Sequence, residues 1–150
     1  MRTLLAVALL ATVLAFLPSG AHLLELPNKL ALDREAYLAV QGIYRGWALL
    51  GVVWIAALLL DALAAWRLRR QRGAMFAALA AAMLLALAFA VFFAWTFPAN
   101  QATANWTVLP DGWESLRARW EWSHAANAGL TFAAVVAMTV ACIAWRRPVP

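Results

Sequence analysis

The sequence predicts an all-α integral membrane protein, an antiparallel bundle of four transmembrane helices. Three observations lead to this fold. Of the 150 residues, 66% are hydrophobic and only 13% are charged, whereas soluble domains carry about 25% charged residues. Four apolar stretches are each long enough to cross a bilayer, which needs ~20 helical residues. The arginines flank these stretches instead of interrupting them, and flanking basic residues are a signal of membrane topology.

The predicted spans cover residues 4–24, 43–66, 74–97 and 123–145 of a single domain, residues 1–150. A single span must be helical because its backbone polar groups can pair only within the segment. Acidic residues around Arg34 and the run Asp111-Gly112-Trp113-Glu114 are typical of helix starts. We therefore expect helices 2 and 4 to extend beyond the membrane on the outer side. The prolines predicted to separate helices are Pro27, Pro98 and Pro110.

The distribution of arginine predicts the orientation. Arg2 precedes the first span, arginines 67, 69, 70 and 72 fill the turn between spans two and three, and Arg146 and Arg147 follow span four. These segments contain no acidic residue, whereas the other two connections carry both signs of charge. Because arginine-rich loops stay in the cytoplasm, we expect both termini to be cytoplasmic, in the inner membrane of a bacterium.

A cleaved signal peptide is the alternative interpretation of the first span. Ser19-Gly20-Ala21 resembles a small-residue cleavage site after an apolar region. Cleavage there would leave three spans and make His22 the first residue. A single preceding arginine and apolar character as far as Leu26 favour a retained span.

Two mirrored motifs are the main candidates for chemistry. The first span ends in His22-Leu23-Leu24-Glu25, and the fourth begins with Glu121-Trp122-Ser123-His124. Residues three apart share a helix face, and in antiparallel helices the reversed order places both histidines at one depth and both glutamates at another. These are the only histidines in the chain. We expect the four side chains to meet near the outer membrane boundary.

This set of donors supports two interpretations. Imidazole and carboxylate together suit Zn, Fe, Mn or Cu, and bundle proteins build metal sites from Glu-x-x-His motifs on facing helices. Two suitable carboxylates are too few for a di-iron site, so the motifs predict one divalent transition metal. The alternative is a structural network of hydrogen bonds and ion pairs with no cofactor. The single cysteine, Cys142, excludes an internal disulfide and a Cys-rich metal site.

Further polar and aromatic residues are predicted to bind substrate or to support the mirrored motifs. They lie on stripes of helices 2 and 4 and in the amide-rich connection after span three. They are Gln41, Tyr44, Arg45, Asn100, Asn105, Trp113, Arg117, Trp120 and Asn127. The alternatives are an aromatic belt at the membrane boundary for the tryptophans and an intrahelical ion pair between Arg117 and Glu121.

Two features inside the spans leave alternatives open. Asp61 is intramembrane by count, so it is either functional or reaches the inner interface. The stretch from Ala77 to Ala82 is small and smooth, which suits close helix packing. That packing is either within the chain or between copies in a homo-oligomer.

Four segments carry a family resemblance. The proline–asparagine step after span three and the Arg-x-x-Trp-Glu-x-x-His run are the most specific of them. The segments are His22-Leu23-Leu24-Glu25-Leu26-Pro27-Asn28-Lys29, Gln41-Gly42-Ile43-Tyr44-Arg45-Gly46-Trp47, Phe97-Pro98-Ala99-Asn100 and Trp113-Glu114-Ser115-Leu116-Arg117-Ala118-Arg119-Trp120-Glu121-Trp122-Ser123-His124. With them the chain resembles the anthrone-oxygenase-like family of small four-helix membrane proteins. The resemblance implies a four-helix bundle and, in the aromatic-polyketide branch, oxygenation of an anthrone to an anthraquinone.

The sequence thus predicts a membrane-embedded oxidoreductase or oxygenase-like protein that acts on a lipophilic aromatic or quinone-like molecule. His22, Glu25, Glu121 and His124 would bind a metal or act as acid–base groups. The alternative is a non-catalytic scaffold or ligand-binding membrane protein. A transporter is disfavoured because no polar track leads from these residues to the cytoplasm. The expected partners are membrane lipid and a lipophilic small molecule, and nucleic acid is excluded because the arginines flank spans.

Overall fold

The computed structural model describes residues 1–146, and every regular element in that range is helical. The elements are α1 (Arg2–Leu30), α2 (Arg34–Gln41), 3₁₀ turns at Gly42–Tyr44 and Trp47–Leu50, α3 (Gly51–Arg67), α4 (Arg72–Val91), a π-turn at Phe92–Thr96, α5 (Phe97–Ala102) and α6 (Trp113–Ala144). Arg147, one of the arginines used to predict orientation, lies outside the described residues, as does the C-terminal end.

Within residues 1–146, four helical segments are long and apolar enough to cross a membrane: Arg2–Leu30, Trp47–Arg67, Arg72–Ala102 and Trp113–Ala144. Large apolar side chains on these segments point away from the protein, with Leu24 81% exposed and Ile143 78% exposed. Apolar surface on this scale needs lipid to cover it. The predicted all-α fold with four candidate spans is therefore confirmed, and it indicates an integral membrane protein.

The four long segments form a ring in which each packs on two others. Helix α1 contacts α3 and α6, and α4 contacts the same two helices. The faces that meet are built largely of alanine, including Ala8, Ala57, Ala78 and Ala134, all of which are completely buried. Small side chains let helix backbones approach closely within a membrane. Within the stretch from Ala77 to Ala82, residues 78, 81 and 82 are buried in this core, so intramolecular packing uses that surface.

Asp61 is completely buried inside the alanine core. Both of its carboxyl oxygens lie close to the hydroxyl of Thr12 on α1, at 3.2 and 3.1 Å, and the same hydroxyl is 2.9 Å from the carbonyl oxygen of Ala8. Asp61 therefore links α3 to α1 within the bundle and does not extend to an interface.

The two ends of the bundle differ in character. At the arginine end, the Arg2 guanidinium lies 5.8 Å from the Trp145 ring, and the Gln71 amide donates to the backbone oxygen of Arg146 at 2.8 Å. At the other end, called the polar end below, α2, α5 and the connection before α6 enclose a second apolar cluster. Its buried members are Tyr37, Ala99, Trp106, Leu109, Trp113 and Trp120.

One of the three prolines, Pro27, does not separate helices as predicted. Pro27 lies inside α1, which continues to Leu30, and Pro98 lies in the first turn of α5. Proline lacks an N–H and clashes with the carbonyl one turn earlier. The wider π-turn at Phe92–Thr96 directly precedes Pro98, and such local adjustments let a spanning helix tolerate proline. Pro110 lies in the connection before α6, as expected.

The second helix is not continuous from Arg34, contrary to expectation. Asp33 caps α2 by accepting from the backbone N–H of Ala36 at 2.8 Å, but the helix ends at Gln41. The chain then turns through Gly46, whose φ of 89° is left-handed. Only glycine adopts this conformation readily. The break turns Tyr44 and Trp47 towards His22 of α1.

Replacing Gly46 with alanine should destabilise the protein by ~1–2 kcal/mol, because in the left-handed conformation the Cβ atom comes too close to the residue's own carbonyl oxygen. Thermal unfolding in detergent would measure this loss. The control is Gly73→Ala in α4, where the backbone is helical and a Cβ atom would meet open space, so stability should stay equal or rise. Equal melting temperatures for the two variants would contradict the left-handed turn at Gly46.

Candidate active site

The mirrored histidines and glutamates meet at the polar end. The imidazole rings of His22 and His124 stack with centroids 4.1 Å apart and planes inclined by 29°. Glu25 and Glu121 both lie beside one ammonium group, that of Lys29, with distances from Nζ of 3.5 and 3.0 Å. The expected convergence of these four side chains is confirmed, while a catalytic or metal-binding role for them remains a prediction.

Lys29 is the central residue of this group, and sequence reasoning missed it. Its side chain is 3% exposed, and its ammonium also lies 3.2 Å from Nδ1 of His22. The rings of Tyr44 and Trp120 are 4.8 and 5.0 Å away, close enough for cation–π attraction. Two signals in the sequence point to it. Lys29 is the only lysine, and it lies seven residues after His22, hence on the same helix face.

Glu121 is completely buried and is held from two sides. Its Oε1 accepts a hydrogen bond from the phenol of Tyr37 at 3.0 Å, and its Oε2 forms the ion pair with Lys29. Burial and the neighbouring carboxylate raise the pKa of Tyr37, so the phenol stays protonated and donates. A buried charge is costly unless it is paired and hydrogen-bonded, and Glu121 has both kinds of partner.

Glu25 is half-buried and accepts a hydrogen bond from the phenol of Tyr44. Burial and this bond raise the pKa of Tyr44, so it too stays protonated. Lys29, Glu25, Glu121, His22, His124, Tyr37 and Tyr44 are called the lysine cluster below. They come from α1, α2, the 3₁₀ turn after it, and α6.

Aromatic rings enclose the two histidines. Trp120 meets His22 and His124 edge-on, with centroids 4.9 and 4.3 Å apart, and Tyr44 and Trp47 cover His22 at 4.4 and 5.6 Å. Trp120 is 4% exposed, so it belongs to the site and not to an aromatic belt. Planar aromatic walls of this kind suit a planar ring as ligand.

Asn100 fixes the orientation of Trp120. Its side-chain oxygen accepts from the indole N–H of Trp120 at 2.7 Å and from that of Trp106 at 3.1 Å. The connection that carries Trp106 has three consecutive left-handed residues, 104 to 106, with φ between 48° and 59°. This unusual turn places the Trp106 indole beside Trp120, with centroids 5.5 Å apart. Asn100 therefore supports the aromatic wall.

The remaining predicted residues fall into different places. Arg117 donates to the carbonyl of Leu32 at 2.7 Å and lies over the ring of Trp113 at 4.6 Å. Glu121 pairs with Lys29 instead of forming the alternative ion pair with Arg117. Gln41 is buried near Tyr37, and Asn127 is buried one turn beyond His124. Arg45 and Asn105 are exposed and lie outside the lysine cluster.

The lysine cluster does not fit a metal as it is arranged. Within residues 1–146, the structure brings together no set of three or more His, Cys, Asp or Glu side chains that could hold one metal ion. The Lys29 ammonium lies between the donors that a metal would need, and a second cation there would be repelled. This arrangement suits acid–base chemistry better than metal binding, and the expected divalent metal stays a prediction.

Comparison with models of protein families, with curated proteins and with solved structures gives no match to this chain. The resemblance to the anthrone-oxygenase-like family therefore stays a prediction. Function has to be inferred from the side chains of the site.

Substituting Lys29 with methionine should destabilise the protein by ~3–5 kcal/mol, the usual cost of leaving a buried charge without its partner. The double variant Lys29→Met with Glu121→Gln should recover much of this loss, because the uncompensated carboxylate is gone. Chemical denaturation in detergent would measure the double variant and both single variants, Lys29→Met and Glu121→Gln. If the losses of the two single variants simply add in the double variant, Lys29 and Glu121 are not paired.

Proposed function

We propose that this protein is a membrane-embedded oxidoreductase that acts on a lipophilic aromatic or quinone-like molecule by acid–base chemistry at the lysine cluster. The observation that carries the proposal is the stacked pair His22 and His124, enclosed by aromatic rings directly beside a buried Lys29–Glu121 ion pair. Imidazoles serve as general bases near neutral pH.

Burial of so many ionisable groups supports this proposal. An ion pair inside a bundle is often no more stable than apolar residues of the same volume, so stability alone does not account for it. Ionisable groups within spanning helices commonly mark functional sites. The cluster also combines acids, bases and hydrogen-bond donors within a few ångströms, as proton abstraction requires.

The chemistry follows from the positions of these groups. An imidazole would take a proton from an acidic C–H or O–H of the bound ring, and the Lys29 ammonium would stabilise the resulting anion. Dioxygen would accept the electrons. For the anthrone oxidation that the family resemblance implies, the ring CH₂ and O₂ yield a ketone and water. One oxygen atom enters the carbonyl group and the other leaves with both hydrogens.

The proposed protein is an antiparallel bundle with its polar end on the outer side of a bacterial inner membrane and its arginine end in the cytoplasm. Helix α6 has 32 residues, a length of ~48 Å against a hydrocarbon core of ~30 Å. The excess would extend outward at the polar end, together with α2. The arginine-only segments support this orientation.

A non-catalytic scaffold or ligand-binding protein is the second candidate. One observation favours it: the charged groups of the lysine cluster satisfy one another within the chain, with Lys29 between Glu25 and Glu121. A purely structural network would tolerate loss of the histidines better than loss of Lys29. The enzyme proposal predicts that loss of either histidine lowers turnover strongly although the protein stays folded.

His22→Gln and His124→Gln should each lower anthrone oxidation by ~10²–10⁴-fold if the imidazoles act as general bases. Absorbance of the anthraquinone product and oxygen consumption, measured on protein in nanodiscs, would follow the reaction. Asn105→Ala is the matched control, since Asn105 is exposed outside the cluster, and it should keep full activity. Equal activity in all three variants would refute the catalytic role.

Reporter fusions test the orientation. A reporter after Arg72 should read cytoplasmic, and reporters near Asp33 and Asp111 should read extracytoplasmic, because only the first segment is rich in arginine without acidic residues. An extracytoplasmic reading at Arg72 would invert the proposed topology and move the lysine cluster to the cytoplasmic side.

A further inference from the structure

Of the five buried polar atoms of α6 that have no hydrogen-bond partner among the described residues, three lie on His124 and Asn127. They are Nε2 of His124 and both amide atoms of Asn127, Oδ1 and Nδ2. Asn127 is completely buried. Each buried polar group without a partner lowers the stability of the fold by ~1–3 kcal/mol. An amide with neither atom paired is therefore unfavourable for stability.

Neighbouring polar groups on α6 do not serve this amide. The hydroxyl of Thr131 donates to the backbone oxygen of Asn127 at 2.7 Å, and the hydroxyl of Ser123 lies 2.7 Å from that of Thr96. His124 and Asn127 are three residues apart, so they share one face of the helix. This face thus presents an imidazole nitrogen and a free amide side by side.

Helix α1 adds a third polar group at this level. Phe16 packs against Phe132 with centroids 5.7 Å apart, and His22 stacks on His124. Ser19 lies between Phe16 and His22 on α1, as Asn127 lies between His124 and Phe132 on α6. Ser19 is only 2% exposed, so it is buried in the bundle at about the depth of Asn127.

A cleft of about 550 Å³ lies on the outer surface of the bundle beside α6. Ser123 and Ala126, which directly precede His124 and Asn127, form part of its wall. Trp95 and Trp122 also line it and are 50% and 60% exposed. The π-turn that carries Thr96 borders the cleft, and π-turns occur frequently at functional sites.

We propose that His124 and Asn127 form a subsite for the carbonyl or hydroxyl oxygen of a lipophilic ring molecule that enters through this cleft. The Asn127 amide donates to a carbonyl oxygen or accepts from a hydroxyl, and Ser19 lies at the same depth. A ring without oxygen leaves the amide unpaired, which costs binding energy. The inference rests on the proposed function and specifies which group of the substrate is recognised.

The test compares two ligands of similar shape, 1,4-naphthoquinone and naphthalene, by calorimetric titration into protein in nanodiscs, with empty nanodiscs as background. The natural chain should bind the quinone at least ~10-fold more tightly, because an unpaired buried polar group costs ~1–3 kcal/mol. Asn127→Leu, which has the same branched shape without the polar atoms, should lose that preference while the protein still unfolds cooperatively.

Thr139→Val is the matched control. Thr139 also lies on α6, but its hydroxyl bonds to the backbone oxygen of Val135 at 2.8 Å, away from the site. This variant should keep the preference for the quinone. Equal binding of the two ligands by the natural chain, or an unchanged preference in Asn127→Leu, would overturn the subsite.

The two proposals fail separately. If the natural chain prefers the quinone through Asn127 but no variant or condition yields oxidised product or oxygen consumption, the subsite stands and the oxidoreductase proposal fails. If product forms equally in Asn127→Leu and the natural chain, catalysis stands and the subsite fails.

Discussion

The buried ion pair between Lys29 and Glu121 is the constraint around which the polar end is organised. A fully buried carboxylate on α6 requires a positive partner, and the only lysine of the chain supplies it from α1. That contact brings the helix faces of His22 and His124 together. The phenol of Tyr37 donates a hydrogen bond to the other oxygen of Glu121. This hydrogen bond also holds the short helix α2 against the bundle.

The rest of the fold holds the helices that carry the lysine cluster together and orients the aromatic rings around it. Alanine-lined faces bring the four long helices close together, so interior side chains near the site are shielded from lipid and water. The break at Gly46 and the left-handed turn at residues 104 to 106 direct Tyr44, Trp47 and Trp106 towards the cluster. The backbone irregularities thus lie where the aromatic wall is formed.

The four long helices and part of the site follow from the sequence alone. Apolar length predicts the four long helices, and the mirrored Glu-x-x-His spacing predicts the meeting of His22 and His124. Lys29 was missed because it was counted with the mixed charges of a connection, whereas α1 continues through Pro27 and keeps it on the His22 face. The break after Tyr44 and the pairing of Asn100 with two indoles depend on tertiary contacts, which local patterns do not encode.

Solid-state NMR of the protein in lipid bilayers tests the central ion pair most directly. Because Lys29 is the only lysine, a lysine labelled with ¹⁵N at Nζ gives a single resonance. The dipolar coupling between Lys29 Nζ and ¹³C-labelled glutamate carboxyl carbons should report an N–C separation of ~3–4 Å, as expected for an ion pair. Glu121→Gln should weaken this coupling. A Lys29 Nζ resonance with no carboxyl carbon within about twice that distance would contradict the account.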